Sequence, residues 1–352
     1  MVWRYTHCME ICLVGGSGII STSVTSLLLA RGHSVTCVTR GNRPLPDGVE
    51  PIVVANINDG TLEREVRYRR FDAVVDFLTF DADDASRAIA TWAGRTNQYI
   101  FISSASCYKK PAGSPFITES TPLSNPHWDY SQKKIAAELA FDAAARDTGF
   151  PLVTVRPSLT YGDHHIPLIL NSWSHPYTII DRMKRGAAVI LPGDGASLWT
   201  ITHADDFAFG LAGLLGNPQT LGHAFHITSD ESITWRQAYQ MAASAFNVPF
   251  IPMEIASHTL VKAYPDWEGT LIGDKAISVV FDNSKIKRFV PGFTASIGFA
   301  EGMRRASKWF TEHPGFRTTE PAVDARHTQL AGMYHELETA LVARIHRGDA
   351  VR

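Results

Sequence analysis

The stretch that most restricts what this chain can fold into lies near its start. Glu10-Ile11-Cys12-Leu13-Val14 is an apolar run of strand length that passes without a spacer into Gly15-Gly16-Ser17-Gly18-Ile19-Ile20-Ser21. Val24, Leu27, Leu28 and Leu29 then recur at helical spacing up to Gly32, a residue suited to a helix C-terminus. Strand, glycine turn and helix in that order form the opening of a βαβ unit, and in that setting a glycine turn can hold a dinucleotide. Gly15 would permit the tight turn, and Gly18 would let a pyrophosphate approach backbone N–H groups at the positive end of the helix. The third position of this pattern, normally glycine, is Ser21.

The rhythm continues along the chain. Residues 33–39, 51–55, 73–78, 98–103 and 150–155 read as strands, with helix-like runs at 61–70, 81–94 and 133–146 between them. Strands alternating with helices predict right-handed βαβ units and a parallel sheet buried on both faces. The expected fold class is α/β, a doubly wound parallel Rossmann sheet with a smaller C-terminal substrate-binding lobe. Residues 1–162 are expected to form the dinucleotide-binding core. Residues 163–352 are expected to complete it around 187–228 and to supply the substrate lobe and C-terminal helices. A chain of 352 residues is long enough to bury a large core.

The end of the second strand bears on which dinucleotide is held. An acidic residue there would bind the ribose 2′-OH and reject a 2′-phosphate, but the chain has Thr39-Arg40, with Arg43 following. Absence of the acid beside two guanidinium groups favours NADP over NAD.

Two further stretches carry chemistry. The strand at 98–103 runs into Ser104-Ala105-Ser106-Cys107-Tyr108, placing hydroxyls at the carboxyl end of a strand, where ligands of open α/β sheets bind. In Tyr130-Ser131-Gln132-Lys133-Lys134 a phenol precedes an ammonium by four residues, so on a helix the two share a face.

Composition narrows the partners. The 33 basic and 35 acidic side chains leave a net charge of −2 with no long run of one sign, so no nucleic-acid partner is expected. No run of 18 apolar residues suggests a membrane span. Cys8, Cys12, Cys37 and Cys107 lie in or beside strand-like stretches without metal-ligand spacing, as small core residues of a reducing, cytoplasmic compartment would. His203-Ala204-Asp205-Asp206 reads as a helix cap and ion pair rather than a metal site, because consecutive residues on a forming helix point in different directions. His164, His165, Trp128, Trp173 and Trp199 are secondary candidates for substrate contact or packing.

Taken together, these segments resemble the extended short-chain dehydrogenase/reductase superfamily, in its NAD-dependent epimerase/dehydratase-like branch. The glycine loop at 15–21, the serine segment at 103–108, the Tyr130 to Lys134 pair, the segment from Arg156-Pro157 to Tyr161-Gly162, and His203-Ala204-Asp205-Asp206 follow the branch's motifs in order. The resemblance implies that Tyr130 is the general acid/base, that Lys134 holds the nicotinamide ribose, and that Ser104 hydrogen-bonds the reacting oxygen. It also implies cofactor contacts at Gly15, Ser17, Gly18, Ile19, Ile20, Arg40, Asn56, Lys134, Arg156 and Pro157. A free phenol has a pKa of about 10, and an adjacent ammonium and a cationic nicotinamide both pull it toward neutrality, where acid/base work is done.

Departures from the branch matter too. Its sugar dehydratases tend to carry threonine and an acidic pair where this chain has Ser104-Ala105-Ser106, which disfavours dehydration. Its nucleotide-sugar epimerases tend to carry asparagine where this chain has Leu159, and leucine cannot hydrogen-bond a diphosphate. The expected function is an NAD(P)-dependent oxidoreductase moving hydride at a carbinol or ketone carbon of a sugar-like or other small polar substrate. The alternatives are a nucleotide-sugar epimerase using tightly bound NAD, and a non-catalytic RNA-binding or redox-sensing relative. The resemblance also allows a homodimer.

Overall fold

Alternation along each strand builds the central layer. In β1 (Glu10–Val14), Ile11 and Leu13 face one side while Cys12 and Val14 face the other, and all four are fully buried. A strand apolar on both faces has to be covered on both. The computed structural model describes residues 8–347 except 58, and divides into two units.

The first unit comprises residues 1–162, 200–232 and 279–298. After β1 come α1 (Ile19–Ala30), β2 (Ser34–Thr39), β3 (Val49–Val53), α2 (Thr61–Glu65), β4 (Ala73–Asp76), α3 (Ala82–Trp92) and β5 (Tyr99–Ile102). Then follow the short β6 (Phe116–Ile117), α4 (Asp129–Thr148), β7 (Leu152–Pro157) and β8 (Leu159–Tyr161). Seven strands form one parallel sheet in the order Ala224–Ile227, β7, β5, β4, β1, β2, β3. The order reverses direction between β1 and β4, and the crevice at the carboxyl ends of such strands is where open α/β sheets take ligands.

Each face has its own core. On one side, Leu13, Val75, Ile100 and Val153 pack with Val24 and Leu28 of α1 and with Phe207 and Leu211 of the helix Ala204–Leu214. On the other, Val14, Val74, Tyr99 and Phe101 pack with Trp92 of α3 and with Ala137 and Phe141 of α4. Cys12, Cys37 and Cys107 are buried and free, whereas Cys8 is exposed, so three of the four cysteines are core residues.

The second unit comprises residues 163–199, 233–278 and 299–352. Val189–Pro192 pairs here with Pro252–Ile255 rather than with the central sheet. Thr234 caps the helix Trp235–Ala245 through a reciprocal box with Gln237. His165 is buried and set edge-on against the Trp173 ring at 4.2 Å, and burial lowers its pKa to about 4, so it behaves as a neutral packing residue. Trp199 stacks on Trp235 at 6.0 Å. No helix among the described residues is long and apolar enough to cross a membrane.

Candidate active site

The glycine turn meets the packing demands read from its sequence. Gly15 has φ of +93°, in the left-handed region. A Cβ on Gly16 would come within 2.2 Å of Cys37 Sγ on β2, so only glycine fits there beside an undisturbed cysteine. Gly18 is the N-cap of α1, and its N–H donates to Ser21 Oγ at 2.7 Å. Ser21 therefore serves the turn: its buried hydroxyl satisfies an amide that helix geometry leaves without an acceptor. Ile19 and Ile20 occupy the first turn of α1, where amides have no intrahelical acceptor, and these backbone groups suit a pyrophosphate. Arg43 Nη1 donates to Ser17 O at 3.1 Å, tying the loop after β2 to this turn. Arg40 is exposed at the end of β2, and Asn56 is exposed beyond β3.

The candidate chemistry lies around the start of α4. Tyr130, in its first turn, is half-buried between Trp128 (ring centroids 5.3 Å apart) and Phe80 (6.1 Å). One turn on, Lys134 is only 2% exposed. Its Nζ donates to Thr79 O at 2.6 Å and to Ile102 O at 2.9 Å, and lies 4.5 Å above the Phe80 ring and 5.0 Å from that of Phe101. An ammonium has three protons, and the two carbonyls take two. Burial lowers the Lys134 pKa to about 8, opposed by the negative charge of Asp76. Phe80 thus touches both Tyr130 and Lys134, while Lys134 is anchored to the last residue of β5, two before Ser104.

Ser104 is half-buried where β5 gives way to a short 3-10 turn, Ala105–Cys107. Its Oγ accepts from Ser106 N at 3.1 Å and lies 2.8 Å from Ser106 Oγ. Ser131, next to Tyr130, donates to Ser106 Oγ at 2.7 Å. The serine segment and the helix bearing Tyr130 and Lys134 are therefore joined through hydroxyls.

Arg156 is 6% exposed and held by Glu138, with Nη2 2.6 Å from Oε2 and Nε 3.0 Å from Oε1, while Nη1 donates to Tyr108 OH at 3.2 Å. A buried guanidinium requires a counter-charge, and Glu138, a further turn along the face of α4 that carries Tyr130 and Lys134, supplies it. Pro157 ends β7 beside it. Asp206 accepts from Ser296 N and Ile297 N, both at 2.9 Å, and so caps backbone, and His203 Nδ1 accepts from Asp205 N at 3.2 Å.

Several structural participants escaped the sequence reading. Asp76, buried at the end of β4, accepts from Leu78 N (2.7 Å), Thr79 N (3.0 Å), Thr79 Oγ1 (2.8 Å) and Tyr99 OH (2.5 Å), which fixes the turn whose Thr79 carbonyl holds Lys134. Glu138 was within reach of the sequence, since it continues the four-residue spacing from Tyr130 and Lys134. Asn125 lies in a loop without periodicity and offered no such signal.

A parallel sheet ordered in this way, opening on a glycine turn and carrying a buried lysine beneath a tyrosine on α4, defines an extended short-chain dehydrogenase/reductase. A family model described as the NAD dependent epimerase/dehydratase family matches residues 11–228, and the chain belongs to that family. Over 291 residues it is 28% identical to 2′-dehydrokanamycin reductase of Streptomyces kanamyceticus, a match covering 81% of this chain and 80% of that one. It is also similar to the chloroplast stem-loop binding protein of 41 kDa b of Arabidopsis thaliana, at 23% identity over 68% of this chain and 64% of the relative. Among solved structures, an epimerase from Methanothermobacter thermautotrophicus superposes with a TM-score of 0.73 at 17% identity, covering 88% of this chain and 94% of that one, a likeness of fold.

Proposed function

We propose that the protein is an NADP-dependent ketone reductase or carbinol dehydrogenase acting on a sugar-like polar substrate. The observation that carries this reading is Lys134, a buried ammonium kept one turn from Tyr130 by two backbone carbonyls, with a proton left over. A binding module has no use for a buried cation under a phenol. When bound, a nicotinamide dinucleotide supplies or accepts the hydride at carbon. In the reducing direction Tyr130 gives its proton to the carbonyl oxygen and Ser104 donates a hydrogen bond to the same oxygen. Lys134 stabilises the resulting phenolate through its charge, and its remaining proton would be available to the ribose of a bound cofactor. The backbone at Ile19 and Ile20 would hold the pyrophosphate, and Arg40 would take the 2′-phosphate.

Similarity to a reductase of 2′-dehydrokanamycin supports a ketone on an aminoglycoside-like ring as the substrate class. Leu159, which lacks hydrogen-bonding capacity, favours net oxidation or reduction over nucleotide-sugar epimerisation. The test is consumption of reduced nicotinamide against a panel of keto-sugars and keto-aminoglycosides. Turnover should prefer NADPH, Arg40→Asp should weaken NADPH binding by about ten- to a hundredfold while sparing NADH, and Tyr130→Phe should remove turnover. An Arg40→Asp protein with unchanged NADPH affinity would rule out the assigned 2′-phosphate contact.

A further inference from the structure

We infer that Asn125, Ser131 and Ser106 are positioning residues that set the direction of the Ser104 hydroxyl, making it a donor toward the substrate oxygen. This rests on the role proposed for Ser104 and concerns how that role is enforced.

The polarity of the chain follows from counting protons. Asn125 is 5% exposed, and its amide orientation is fixed on two sides: His127 N donates to Oδ1 at 3.3 Å, and Nδ2 donates to the Ser106 carbonyl at 2.9 Å. The other Nδ2 proton faces Ser131 Oγ at 3.3 Å, so Ser131 accepts there. Ser131 is fully buried, and its own proton goes to Ser106 Oγ at 2.7 Å. A serine hydroxyl has one proton and two acceptor sites. Ser106 Oγ accepts from Ser131, and the one partner left for its own proton is Ser104 Oγ at 2.8 Å, so the proton is assigned there. Ser104 Oγ also accepts from Ser106 N at 3.1 Å, which fills its acceptor capacity. With the Ser106 proton so placed, no acceptor among the described residues remains for the Ser104 proton. The chain runs from a buried amide to a half-buried hydroxyl, and each link polarises the next in the same sense. Without Ser131, nothing fixes the Ser106 hydroxyl, which can then turn to accept from Ser104 and draw inward the proton needed at the substrate oxygen.

Neutron diffraction from crystals exchanged into heavy water reads the chain directly in the wild-type protein. The expected map places the Ser131 deuteron toward Ser106, the Ser106 deuteron toward Ser104, and the Ser104 deuteron on no protein acceptor. A Ser104 deuteron lying toward Ser106 would overturn the inference. A double-mutant cycle gives a second reading: Ser131→Ala should lower kcat/KM by about tenfold, and Ser104→Ala by about a hundredfold. The double variant should match Ser104→Ala alone, because Ser131 acts only through Ser104. Additive losses, or none from Ser131→Ala, would overturn it. If the wild-type protein reduced no ketone, the role of Ser104 would fall, while the deuteron positions would still decide the direction of the chain.

Discussion

At Lys134, stability and the proposed chemistry are in conflict. Its pKa of about 8 lies below the ordinary 10.5, chiefly because burial disfavours the charge. Between those two values the unfolded chain holds the proton and the folded chain does not, so wild-type stability rises with pH across that window. For a gap of this size the rise is about 3 kcal/mol. Below the window the buried charge is carried at full cost. Lys134→Met removes it, so near neutral pH the variant should melt higher than wild type, its advantage shrinking as pH climbs toward 10.5, while turnover disappears. Thermal melts of both proteins across that range check this, and a variant that melts lower near neutrality would mean the two carbonyl hydrogen bonds outweigh the buried charge. The same residue should give the rate a falling limb in kcat/KM above a pH of about 8, as Lys134 loses its proton. That Tyr130 and Lys134 lie one turn apart on a helix was legible from spacing alone. The destination of Arg156 was not, because a guanidinium at a strand end suits a phosphate or a buried carboxylate equally well until the fold brings Glu138 alongside.

Among the elements, α1 and β2 are locked together through a missing side chain. Gly16→Ala would drive a methyl into Cys37 Sγ, a displacement costing about 1–3 kcal/mol and shifting the turn proposed to hold the pyrophosphate. Cys37→Ala removes the obstructing sulfur, so the double variant should recover part of the lost melting temperature and cofactor affinity. Failure to recover either would place the damage elsewhere than at this contact. On α4, Glu138→Ala should cost about 3–5 kcal/mol, since it strands the buried Arg156. Chemical denaturation measures it, and a change within experimental noise would mean that water reaches the guanidinium. Element boundaries were legible in part. The α4 run expected from 133 begins at Asp129, because Trp128 at the N-cap makes no side-chain capping bond and so left no sequence mark. The run expected over 61–70 ends as α2 at Glu65, and Arg69 beyond it reaches Glu50 at 2.6 Å and Thr36 at 3.1 Å.

Over the whole molecule, the alternating pattern was enough to imply a parallel sheet, because apolar strands separated by helices have few other ways to be covered. Partner choice outside that sheet was hidden: Val189–Pro192 is a four-residue apolar run that pairs with Pro252–Ile255, and nothing in so short a run names its neighbour. The hydroxyl chain was hidden for a similar reason, since Asn125 reaches Ser106 and Ser131 only after the loop before α4 has folded. The glycine turn, the serine segment and the Tyr130–Lys134 pair were each visible because a local rule constrained them. Together they are proposed to carry out a net hydride transfer in which Tyr130 moves the proton. The most direct test follows NADPH consumption and product formation with a keto-sugar or keto-aminoglycoside substrate, for wild type and Tyr130→Phe. One NADPH should be oxidised per carbonyl reduced, and kcat/KM should fall by about 10²–10⁴ in the variant with NADPH binding retained. An epimerised product without net change in cofactor, or a Tyr130→Phe protein as active as wild type, would contradict it.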